Sequence, residues 1–173
     1  VLVHVPMEPL GLDDPGPHAL RVDLSDADLR ARIRWAMARV PGAIGLNNHM
    51  GSRFTRDPRA LRIALGAIVE GAPLFVDSMT TADSRGSAVA EGLGLPVLRR
   101  DIFLDHVIEA DAIRAQLVAA EALARSGVGE ISLFDLDDVC ITNTNRQIHA
   151  LDGAVGKAKV AEMAARIRAI NPP

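Results

Sequence analysis

Short apolar runs, each followed by polar residues and then by an amphipathic helical stretch, recur along this chain and restrict its fold more than any other feature. Residues 1–5 read as a buried strand, and Pro6, Pro9, Gly11, Pro15, Gly16 and Pro17 then forbid regular structure. Ser25 with Asp28 has the form of a capping box, and Leu29, Ile33, Ala36 and Val40 follow at helical spacing. A second strand is expected over 43–46. Asp57-Pro58 opens a helix with Leu61, Leu65, Ile68 and Val69 inward and Gly71 at its end. A third strand over 74–76 ends at Asp77. A helix over 82–93 stops at Gly94, and 95–98 reads as a fourth strand. The helix expected over 110–125 turns Ile113, Leu117, Ala120 and Ala124 inward and stops at Gly127. A last strand over 130–134 and a helix over 156–170, with Val160, Met163, Ile167 and Ile170 on one face, complete the pattern.

Strands alternating with helices of this length specify an α/β protein with a mainly parallel sheet, whose chemistry gathers at the C-terminal ends of the strands. The polar clusters fall there: His4, then Asn47-Asn48-His49, then Asp77, then Asp135 to Asp138. A formal net charge of -3 points neither to a nucleic-acid-coating surface nor to a membrane-seeking one. The single cysteine, Cys140, excludes an intrachain disulfide. No apolar run approaches the roughly 20 residues that span a bilayer. The opening Val1-Leu2-Val3 has no basic leader and reads as the middle of a domain, so a natural N-terminus further upstream is expected. A periplasmic or secreted location follows if that segment carried a signal, and a cytoplasmic one otherwise.

His4 and His49 each stand near the end of an apolar strand, where a parallel sheet can bring two imidazoles to one metal ion. A hydrolytic site needs a third protein ligand, and Asp77 and Glu8 are the available carboxylates. The plainer alternative is that each histidine is a hydrogen-bonded loop residue. The stretches His4-Val5-Pro6-Met7-Glu8-Pro9, Pro41 through Thr55 with its Asn47-Asn48-His49-Met50-Gly51-Ser52 core, Phe75-Val76-Asp77-Ser78 and Arg100-Asp101-Ile102-Phe103-Leu104-Asp105 together resemble the divergent polysaccharide deacetylase family, over residues 1 to about 120. The resemblance implies a deformed (β/α) barrel, here incomplete, zinc or a similar divalent metal on His4 and His49, and an acetylated carbohydrate substrate. It implies roles near the chemistry for Asp77, as a base or orienting group, and for Asn48. The family opens with a strand ending in an Asp-Asp pair that this chain lacks, so metal binding is expected to be weak.

After Gly127 a strand running into acidic residues can hold the ribose hydroxyls of a nucleotide, with Arg146 and Lys159 on phosphates; a solvated turn is the alternative. Asp135-Leu136-Asp137-Asp138-Val139-Cys140-Ile141-Thr142-Asn143-Thr144-Asn145-Arg146-Gln147, then Val155-Gly156-Lys157-Ala158-Lys159-Val160 and Ile170-Asn171-Pro172, resemble the ThiF/HesA-like activating enzymes, nearest to the branch that dehydrates threonylcarbamoyladenosine in tRNA. That resemblance implies a Rossmann-like strand–helix segment that binds ATP with magnesium. Asp137 would take the ribose, and Asn143, Arg146, Gln147 and Lys159 the phosphates. The Gly-rich phosphate loop of that family is missing, so ATP affinity is expected to be poor.

The two patterns meet in Ala119-Ala120-Glu121-Ala122-Leu123-Ala124-Arg125, which divides the chain into a deacetylase-like segment over 1–120 and a nucleotide-binding fragment over 121–173. Three readings follow: an impaired metal-dependent deacetylase, an ATP-dependent dehydratase-like fragment whose partner is tRNA, and an inactive hybrid. Truncated sheet edges would favour self-association.

Overall fold

The computed structural model describes residues 1–71, 73–103, 109–126 and 153–170, with the single positions 128, 130, 131, 133 and 172. The chain forms two compact units, Val1–Asp101 and Ile102–Pro173.

In the first unit four strands, β1 (Leu2–Met7), β2 (Gly45–Met50), β3 (Leu74–Asp77) and β4 (Val97–Arg99), lie in the order 1-2-3-4. Every pair is parallel. The helices α1 (Asp26–Ala38), α2 (Pro58–Gly66) and α3 (Gly86–Gly92) supply the crossovers. Parallel crossovers are right-handed, and strands added in sequential order therefore send every helix to the same face of the sheet. The core confirms this arrangement: Val3, Val5, Met7, Leu46 and Phe75 from the strands pack with Leu29, Ile33, Leu61, Leu65, Val89 and Ala90 from the helices. The result is an α/β fold with an open, four-stranded parallel sheet among the described residues. No helix among them is long and apolar enough to cross a membrane.

Local chemistry sets the boundaries. Ser25 caps α1 by accepting from the Asp28 N–H, and its hydroxyl donates to the Asp28 carboxylate at 2.6 Å. Asp57 caps α2 by accepting from the Ala60 N–H, with Pro58 in the first turn. Both starts match the sequence reading.

The strands differ from it in one consequential way. β1 runs on through Pro6 and Met7, and β2 runs on through Asn47, Asn48, His49 and Met50, so the polar residues expected in loops belong to the ladder. Pro6 fits because β1 is an edge strand here and a missing N–H costs an edge little. A parallel bridge from Met7 to Leu20 then partly covers that edge. α3 begins at Gly86, four residues later than 82.

In the second unit α4 (Ala110–Arg125) has the bounds expected from its periodicity, and α5 spans Lys159–Ile170. Leu117 and Met163 form a small buried cluster with Leu133 and Ile167 against it. Glu130, Ile131 and Leu133 carry no strand, and the remainder of the strand expected over 130–134 lies outside the described residues.

Candidate functional site

Side chains alternate across a strand, and residues paired in a parallel ladder point to the same face. The register pairs His4 with Asn47 and Pro6 with His49. It also pairs Asn47 with Val76 on β3. The core residues Val3, Val5, Met7 and Leu46 occupy the alternate positions. His4, Asn47 and His49 therefore project together from the sheet face that the three helices leave bare.

There the two imidazoles meet. His4 Nε2 lies 3.1 Å from His49 Nδ1, and the rings stand edge to face with centroids 4.9 Å apart. On its other side His4 Nδ1 lies 3.1 Å from Asn47 Oδ1. The Asn47 Nδ2 donates to the Ser78 hydroxyl at 3.4 Å. His4 is exposed, while Asn47 and His49 are half-buried. Partial burial, and then the charge of the neighbouring His4, lower the His49 pKa below its ordinary 6.5. At neutral pH His49 is thus held in the uncharged form that ligates metals.

Two imidazole nitrogens on one tetrahedral zinc, each at roughly 2.0–2.1 Å, stand about 3.3 Å apart. The pair meets that requirement. A third ligand does not join them: among the described residues no group of three or more His, Cys, Asp or Glu is placed to share a metal ion. The residues present thus fit two corners of a divalent site.

Both candidate carboxylates are engaged elsewhere. Glu8 accepts from the Val22 N–H at 2.9 Å and pairs with Arg53 at 3.1 Å. Asp77 is buried and lies on the helix-covered face with Phe75. Its Oδ1 accepts from the Met79 N–H at 3.0 Å and its Oδ2 from the Ser84 hydroxyl at 2.7 Å. Gly86 stands so close that a Cβ there would lie 2.5 Å from Asp77 Oδ2 and 2.9 Å from the Phe75 ring.

Asn48 is also buried on that inner face. It donates to the Met50 carbonyl at 2.6 Å and accepts from the Ser78 N–H at 2.8 Å, tying the end of β2 to the segment after β3. Met50, the last residue of β2, and Met79, two residues beyond β3, have φ of 51° and 48°. Such left-handed values in non-glycine residues persist only where the surroundings enforce them. The Thr80 hydroxyl bonds the Met50 carbonyl and Arg100 bonds that of Met79, supplying that enforcement. Asp77 and Asn48 thus shape the loop that carries Ser78, while the histidines occupy the opposite face. Asn47 and Ser78 stand in the motifs read from the sequence but received no role there; the signal was the doubled Asn47-Asn48, whose members alternate between the faces once both lie in a strand.

Of the nucleotide-site candidates, Lys159 is the first residue of α5. Asp137, Asn143, Arg146 and Gln147 lie outside the described residues.

Residues 1–163 match the family model for the divergent polysaccharide deacetylase. The uncharacterized protein YibQ of Escherichia coli K12 is 34% identical over 133 residues, covering 77% of this chain and 42% of YibQ, so the chain spans under half of that relative. The crystal structure of the uncharacterized protein ATU2773 from Agrobacterium tumefaciens C58 superimposes with a TM-score of 0.67 at 28% identity, over 72% of this chain and 52% of that one. The tRNA threonylcarbamoyladenosine dehydratase of Escherichia coli K12 is 70% identical over 54 residues, 31% of this chain and 20% of that enzyme.

Proposed function

The chain belongs to the divergent polysaccharide deacetylase family, and from that premise we propose a deacetylase-like hydrolase that acts on acetylated carbohydrate through a divalent metal, zinc or similar, held weakly by His4 and His49. The observation that carries this reading is the 3.1 Å approach of the two imidazoles on the sheet face opposite α1, α2 and α3. When bound, the ion supplies Lewis acidity toward an acetyl carbonyl and toward water. The chain's own residues do the rest. His49 stays neutral and able to ligate near pH 7. Asp77 and Asn48 act as orienting groups that hold the 78–80 segment beside the pair. With two protein ligands among the described residues, affinity is expected to fall short of that of a three-ligand catalytic site.

Calorimetric titration with Zn²⁺ and an acetyl-release assay test this reading. Weak binding that disappears in His4→Ala and His49→Ala is expected, with acetyl release well below that of a complete site. Tight stoichiometric binding, or binding indifferent to both substitutions, overturns it.

A second reading is favoured by the 54-residue match to tRNA threonylcarbamoyladenosine dehydratase. In it the C-terminal segment derives from an ATP-dependent, tRNA-directed activating enzyme. Asp137 would meet the ribose, and Asn143, Arg146, Gln147 and Lys159 the phosphates of ATP with its magnesium. ATP–pyrophosphate exchange tests it: exchange lost in Arg146→Ala supports it. No exchange and no acetyl release together favour an inactive hybrid.

A further inference from the structure

We propose that Asn47 is the positioning residue of the histidine pair. It holds His4 as the tautomer protonated on Nδ1, so that the lone pair of Nε2 faces His49. The inference rests on the metal-ligating reading and adds to it the group that makes one ligand competent.

Asn47 sits opposite His4 in the β1–β2 register, on the same face of the sheet. It presents its two amide ends to different partners. Nδ2, which only donates, points at the Ser78 hydroxyl at 3.4 Å. Oδ1, which only accepts, points at His4 Nδ1 at 3.1 Å. Ser78 is itself fixed by its N–H, which donates to the buried Asn48 at 2.8 Å. A nitrogen facing a pure acceptor must carry the proton, and neutral imidazole has only one. Nε2 is therefore bare. Across the 3.1 Å gap the donor is then His49 Nδ1.

The three bonds run in one direction, from His49 to His4 to Asn47 to Ser78, and each hydrogen is used once. Free histidine prefers the opposite tautomer, with the proton on Nε2, so the arrangement inverts the default. It leaves a single hydrogen between the rings, and for a divalent ion to enter there His49 must give up the proton on Nδ1 and take one on Nε2, with no net release, while His4 keeps its tautomer. Outer partners of this type typically change metal affinity by about 10–100-fold.

The decisive measurement needs no metal and no substrate. In metal-free protein labelled with ¹⁵N-histidine, long-range ¹H–¹⁵N spectra above neutral pH should give His4 a protonated Nδ1 and a bare Nε2. The Asn47→Asp variant keeps the acceptor and should keep this signature, whereas Asn47→Leu should revert toward the Nε2–H form. A proton on Nε2 of His4 in the native protein overturns the proposal, as does an unchanged tautomer in Asn47→Leu. Should Asn47→Leu fail to fold, the native spectrum and Asn47→Asp decide. Titration with Co²⁺ supplies the second readout, with affinity expected to drop about 10–100-fold in Asn47→Leu. Equal affinity for Co²⁺ overturns the proposal. Absence of Co²⁺ binding in the native protein, with the tautomer as stated, removes the metal reading and leaves the orientation of His4 by Asn47 standing.

Discussion

The two compact units hold themselves together by different means. In Val1–Asp101 one face of a parallel sheet is sealed by three helices, and Leu20, Leu29, Ile33, Leu46, Phe54, Leu61 and Phe75 have no measurable exposure. In Ile102–Pro173 the described apolar contact is small, centred on Leu117 and Met163. There polar bonds share the task. Glu121 on α4 accepts from Arg166 on α5 at 2.6 Å and pairs with Arg125 one turn along at 3.2 Å. A sheet offers a whole face to cover, whereas two helices share one stripe. The first unit can therefore hold a polar cluster on its bare face without weakening its core, because the alternation of the strands keeps the two apart.

Substitutions that break or sharpen this contrast fall in a definite order. Phe75→Ala should cost the most, about 3–5 kcal/mol, because the residue is fully buried at the centre of the sheet; urea unfolding followed by circular dichroism measures it. Gly45→Ala should come next, at about 1–3 kcal/mol, since a Cβ there would stand 2.1 Å from the rigid Leu74 carbonyl oxygen; the same unfolding curves report it. Leu117→Ala should cost about 2 kcal/mol, at the low end for a buried leucine because few partners surround it. Faster hydrogen exchange confined to the α4 and α5 amides checks that value. A loss equal to that of Phe75→Ala would erase the contrast.

The smallest effects concern Glu121. The hydrogen bond from Arg166, and after it the bond from Arg125, hold its carboxyl below its ordinary 4.5, against the opposing effect of burial. A depressed carboxylate stabilises the folded form above its unfolded pKa. That contribution is lost as pH falls from about 4.5 through the lower folded value. Exchange of the α4 and α5 amides should therefore quicken, once corrected for intrinsic rates, between pH 5 and 3, and Glu121→Gln should flatten the response. The substitution itself should cost about 1 kcal/mol or less, given the exposure of Arg125 and the partial exposure of Arg166.

What the sequence made legible follows from which signals are local. The caps at Ser25 and Asp57 are short-range chemistry, and both helices start where those residues stand. The convergence of His4 and His49 was legible because neighbouring strands of a parallel sheet set such positions side by side, although His4 stands mid-strand, with three residues of β1 beyond it. The parity of their neighbours was not. With β2 taken to stop at Leu46, residues 47–49 fall in a loop, and a loop has no alternation to sort Asn47 from Asn48. Polar residues within a strand erase the apolar rhythm that marks it, so the ladder runs further than hydropathy suggests. Asp77 likewise ended an apolar run and invited a role beside the metal, yet its place two residues beyond Phe75 turns it inward toward Ser84 and Gly86.

The register between β1 and β2 also works as a counting device. One residue inserted between Val3 and His4 would rotate the imidazole into the hydrocarbon layer and bring an aliphatic group out in its place, and an insertion before Asn47 would exchange the two asparagines. Gains and losses of length are therefore best tolerated in the exposed stretch 10–14 and excluded from the two short stretches 2–7 and 45–50, where spacing, more than residue identity, keeps the ring nitrogens in company.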